Sequence, residues 1–122
     1  MTPCSVLFVL AGLSPDEGQK AVSALSIAAA ISWLRGLISR QEQEASRHLA
    51  QIDVLIDQHG APDSIELGFP ADDAEAQALG WPCAGAWCAM AARVIAKSPV
   101  PVVLVHRRST MATVAAAAAH KY

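Results

Sequence analysis

Charge is scarce in this 122-residue chain. Asp, Glu, Lys and Arg make up 16% of it and leave a net charge of −2. A basic patch or stripe is the usual footprint of nucleic-acid binding, so no nucleic-acid partner is expected. Cysteine is also scarce. Cys4, Cys83 and Cys88 are an odd number without a paired framework. They fit a reducing cytoplasm better than a disulfide scaffold, and a cytoplasmic location is expected. No basic segment precedes the N-terminal apolar run, so no secretory signal is read there. The longest span candidate, residues 21–34, falls short of the roughly 20 residues a transmembrane helix needs, and serines interrupt it. Membrane insertion is not expected.

The motifs of catalysis and metal binding are equally thin. No serine sits in a G-x-S-x-G turn, and no nucleophile, base and orienting carboxylate form a recognisable set. Asp72 and Asp73 are adjacent carboxylates at a polar helix start, where they complement the helix dipole. Cys83 and Cys88 are five residues apart, which on a helix turns them about 140° from each other. They do not form a zinc or redox pair. His48, His59, His106 and His120 are scattered without a ligand pattern. Trp33, Trp81 and Trp87 lack the basic stripe of a nucleic-acid stacking platform and read as core or interface anchors. No catalytic residue, metal site or cofactor is assigned, and the chain is not read as an enzyme.

What the chain has in abundance is apolar side chains, at 53%. Part of this is alanine, which favours helix at little entropic cost. The remainder suggests apolar surface buried against another subunit. Length points to one domain. Ser5 to Leu10 reads as a short strand broken by Gly12. Ser14-Pro15-Asp16-Glu17 is a helix start with a capping box, and the helix is expected to reach about Leu34. Gly36 marks a break, with residues 31–38 left between helix and strand. Ser39 and Glu42 form a second capping box, opening a helix to His59, which Gly60 ends.

Beyond it, Ser64 to Phe69 reads as a strand and Asp72 to Leu79 as a short helix. Trp87, Met90, Ala91, Val94 and Ile95 carry helical spacing. The Ser98-Pro99 step stops that helix. Val100 to Val105 is a β-branched run of the kind buried in parallel sheets. Residues 109–122 form an alanine-rich helical tail, separate from an α/β domain at 1–108. The pattern predicts a small three-layer α/β domain with a short, mainly parallel sheet flanked by helices. An all-α helical bundle is the alternative.

Three segments, in order, resemble the universal stress protein family. V-L-F-V-L-A-G-L-S-P-D-E at 6–17 looks like its first strand and the turn into its first helix. G-F-P-A at 68–71 is similar to its G-D-P-A turn, and 93–108 looks like its closing helix and strand. The resemblance implies a small binding or signalling module in stress response, dimeric through its last strand. It departs from the ATP-binding members at two places. Ala11 stands where they carry an aspartate. Gly80 and Gly85, with Trp81, Pro82 and Cys83 between them, replace a G-x2-G-x9-G-[ST] phosphate cradle. A shortened or degenerate member without tight ATP or other nucleotide binding is therefore expected. Gly12, Ser14 and Gly68 lie in strand–helix turns, where ligands of open α/β sheets bind. Val100, Val102, Val103 and Val105 are the candidate homodimer interface. The second reading is an all-helical adaptor or small chaperone that acts on a protein partner.

Overall fold

The computed structural model describes residues 3–106. The expected helical tail at 109–122 lies outside them. Among the described residues the order is α1 (Pro3–Leu10), α2 (Pro15–Val22), α3 (Ile27–His59), β1 (Ile65–Phe69), α4 (Asp73–Ala78), α5 (Ala84–Lys97) and β2 (Val102–His106). The fold is a helix-rich mixed α/β arrangement with a two-stranded parallel sheet.

The N-terminal apolar run is a helix and not the strand its composition suggests. A short apolar run does not distinguish a buried strand from a buried helix by periodicity. Here the local signals favour helix at both ends. Pro3 suits the first helical position. At the other end, Gly12 takes a φ of +76°. Its N–H donates to Val9 O (3.1 Å), while Leu13 N–H donates to Phe8 O (2.8 Å). This is a Schellman closure, in which a left-handed glycine satisfies the last helical carbonyls. Phe8 and Leu13, the apolar pair that accompanies such a closure, are both buried. The Phe8 ring lies over Gly18 of α2, where a Cβ would stand 2.6 Å from it.

The capping box at Ser14 forms as its sequence implies. Ser14 Oγ accepts from Glu17 N–H (3.2 Å), and Glu17 Oε1 accepts from Ser14 N–H (3.1 Å). The helix it opens ends at Val22, earlier than the expected Leu34. A new start at Ser26, whose Oγ accepts from Ala29 N–H, begins α3. The 33 residues of α3 run through Gly36 and Ser39 without a break. One interior glycine costs a helix about 1 kcal/mol. Leu34, Leu37 and Gln41 are buried on either side of it, and that burial outweighs the cost. Ser39 does not cap. Its Oγ accepts from Gln43 Nε2 instead. Gly60 closes α3 at a φ of +80°.

Residues 65–106 follow the sequence pattern closely. β1 and β2 pair in parallel, Ile65 opposite Val102 through Phe69 opposite His106. Parallel strands need a long crossover, and α4 and α5 supply it. The second strand starts two residues later than expected. Val100 is buried ahead of it, and Pro101, which has no N–H, accepts from Ile65 N–H at 2.9 Å. Side chains alternate across a strand. Ile65, Leu67, Phe69 and Val102 pack on the core, whereas Glu66 and Val103 face outward. The core itself lies between α3, α5 and the N-terminal helices, around Leu34, Trp87, Met90 and Val94. No single described helix is long and apolar enough to cross a membrane. α2 and α3 meet that test only together, across a 120° bend.

Candidate functional site

Gly12 and Ser14, placed by their sequence in a ligand-binding turn, are occupied with the protein's own packing. Gly12 lies against Gly85 at the start of α5, so closely that a Cβ on Gly12 would stand 2.3 Å from Gly85 O. Gln41 of α3, with no exposed surface, locks this contact. Its Nε2 donates to Ala11 O (2.8 Å) and to Ala86 O (3.1 Å). Both neighbours are carbonyls, which settles the orientation of the amide. Three helices are thus tied at one point by a side chain that no sequence motif singled out. Ser14 is an N-cap.

Gly68 has a different setting. It pairs with Val105 in the sheet and borders a cavity of about 230 Å³. That cavity gathers Glu44, Arg47 and His48 of α3 with Trp81, Trp87 and Met90. Burial, and then the neighbouring Arg47 charge, hold the His48 imidazole below its ordinary pKa. Glu44 opposes them. His48 therefore favours its neutral form.

Cys83 occupies the N-cap position of α5 without a side-chain capping bond. It is buried beside Glu17 and Asp73, in a cleft of about 400 Å³. Burial and a hydrogen bond to the Glu17 carboxylate push its thiol up to about 11. The same bond, together with those from Ser14, holds Glu17 below its ordinary value. A thiol kept protonated is a poor nucleophile. Cys88 is exposed on α5 and also raised by desolvation. Among the described residues no three His, Cys, Asp or Glu side chains gather as metal ligands.

The candidate interface segment is partly open. Val100 is buried and Val102 and Val105 are half-buried, while Val103 is 47% exposed. Leu104 is on the face directed at the core, yet 37% of it remains exposed. Among the described residues the sheet has two strands, so no further strand pairs with the outer edge of β2. Ladder alternation from the Ile65–Pro101 bond turns the amides of Val102 and Leu104 toward this outer edge.

A further cleft, of about 590 Å³, was not signalled by any motif. It lies between the first half of α3 and the turn joining α4 to α5, and is lined by Trp33, Gly36, Arg40, Gly80 and Trp81 among others. The spacing 33, 36, 40 places these residues on one helix face. Reading Gly36 as a helix break obscures that signal.

Comparison with protein-family models, with curated proteins and with solved structures finds no match to this chain.

Proposed function

We propose that the chain is a small binding module that acts as a homodimer, joined through the outer edge of β2. The observation that carries this reading is Leu104, a core-facing leucine left 37% exposed at an edge that pairs with no further strand among the described residues. An uncovered edge with apolar side chains invites another strand. A second copy placed against β2 would pair the outward amides of Val102 and Leu104 and cover Leu104 together with Val103. Full burial of such a side chain contributes about 1.5–3 kcal/mol, of which covering the exposed part of Leu104 adds a fraction. Replacing Val103 with lysine puts a charge beside the edge, and the dimer is expected to dissociate to monomer or to turn insoluble. A Val103→Lys protein that stays soluble and dimeric contradicts the reading.

A universal-stress-like role draws its support from residues 65–106, where the G-F-P-A segment ends β1 and leads into a parallel crossover that closes with α5 and β2. The first matching segment is helical, so Ala11 ends a helix and is buried. Residues 80–87 form a tight turn and the start of α5, filled by Trp81 and Pro82. Both features favour a module that does not hold ATP tightly. Calorimetric titration with ATP is expected to show no micromolar binding, and a micromolar dissociation constant would count against it.

A second reading, an adaptor for a protein partner, is favoured by α1. Val6, Val9 and Leu10 are exposed there, Val9 by 76%, along an apolar groove of about 520 Å³. Contiguous exposed apolar surface marks interaction sites. A Val9→Lys change that leaves self-association intact assigns this face to a different partner. Loss of the dimer on that change assigns it to the second copy.

A further inference from the structure

The cleft beside Gly36 has the build of a small-molecule site. Its floor is one face of α3. Trp33 stands at one end, half-open to solvent, and Arg40 at the other. The seven-residue step from Trp33 to Arg40 spans about 10.5 Å of helix axis at 1.5 Å per residue, room for a bicyclic ring. Gly36 lies between the two. A Cβ on Gly36 would meet nothing within 4 Å, so the packing of this chain does not require glycine there. The helix accepts the cost of an interior glycine at a position that lines the cleft. Close approach of a ligand to backbone is one of the established uses of glycine.

The opposite wall is the turn after α4. Gly80 closes it at a φ of +88°, with Gly80 N–H donating to Gln77 O and Trp81 N–H to Ala76 O, both at 2.9 Å. This closure sets Trp81 against Arg40, whose guanidinium carbon is 4.0 Å from the indole centroid. One Arg40 N–H donates to Gly80 O. Stacking and that bond fix the guanidinium in place. They consume one of its five donors and none of its charge. Among the described residues Arg40 has no carboxylate partner, and it is the one charged residue lining the cleft. The site therefore offers the open indole of Trp33, an unneutralised cation oriented by the buried Trp81, and a gap of ring size.

We infer that this cleft binds a small planar aromatic carboxylate, its ring against Trp33 and the Gly36 backbone and its carboxylate on Arg40. Arginine suits this task because its planar fork matches a carboxylate. Binding at this cleft requires no second copy of the chain and no protein partner.

The test uses 2-naphthoate as the probe and the ¹⁵N-labelled full chain, followed through its indole N–H signals. The signals of Trp33 and Trp81 are expected to shift on titration to about 1 mM, the range of a modest small-ligand site. 2-Naphthylmethanol, which keeps the ring and loses the charge, is expected to bind at least about tenfold more weakly, the cost of a lost charge-assisted bond. Arg40→Met should abolish that preference. Gly36→Leu fills the floor of the cleft with a residue of higher helix propensity, so it should block the probe without lowering thermal stability. Indole signals unmoved by 2-naphthoate would overturn the inference. So would equal affinity for the neutral alcohol, or a Gly36→Leu protein that is as stable as the parent and binds the probe unchanged.

Discussion

At the scale of single residues, the fold depends on contacts too close to tolerate a change. Gly12 is the clearest case, with a left-handed φ of +76° and no room for a methyl group beside Gly85 O. Gly12→Ala adds backbone strain to a steric clash, each of which costs about 1–3 kcal/mol. A fall in unfolding free energy of at least about 2 kcal/mol is expected in urea titration. A loss of only a few tenths would mean that the α1–α5 contact is looser than described. Cys83 sets a different limit. Its thiol is raised from the ordinary 9.0 to about 11, first by burial and then by Glu17. A raised folded-state pKa gives stability that is complete below pH 9 and is lost as pH rises through about 11. Glu17, depressed by the same contact, acts at the other end, giving stability above the ordinary carboxylate range that is lost as pH falls. Cys83→Ala is therefore expected to flatten the alkaline limb of the stability–pH curve. An unchanged alkaline limb would show that the thiol is not held protonated by the fold.

At the scale of elements, local signals were legible where they stood alone and were misread where two signals competed. The Ser14 capping box, the Gly60 stop and the Ser98-Pro99 stop each describe a chain end, and each falls where its chemistry places it. The run from Ser5 to Leu10 is apolar enough for either a strand or a helix. What decides it is Gly12 acting as a helix terminator, and the same glycine would equally break a strand. Gly36 and the Ser39–Glu42 pair imitate a helix end followed by a helix start. Burial of Leu34, Leu37 and Gln41 along one face overrides them and keeps α3 whole. Because a Cβ at Gly36 meets nothing, Gly36→Ala should recover the propensity term. It is expected to stabilise the protein by about 0.8–1 kcal/mol, read as a higher melting temperature. A destabilised Gly36→Ala protein would mean that α3 needs its glycine for a reason of shape.

At the scale of the whole molecule, parallel pairing of the two later strands was readable because both are β-branched or alternating runs flanked by capped helices. The candidate site was far less readable. Gly68 does border a cavity, but its polar neighbours Glu44, Arg47 and His48 come from a helix 20 or more residues away in sequence. Arg40, Trp33 and Trp81 are joined only by the closure at Gly80, and periodicity within single segments cannot reveal such a meeting. In the sequence the candidate interface rests on composition, an apolar fraction of 53% in a short chain. The structure adds where the excess surfaces, at Val103 and Leu104 on the edge of β2 and at Val9 on α1. The central claim is that the β2 edge joins two copies. Sedimentation equilibrium of the full chain at high micromolar concentration, run beside Val103→Lys, tests it most directly. The account predicts a dimer for the parent chain and a monomer for the soluble fraction of the variant. A parent chain that sediments as a monomer at that concentration would contradict it.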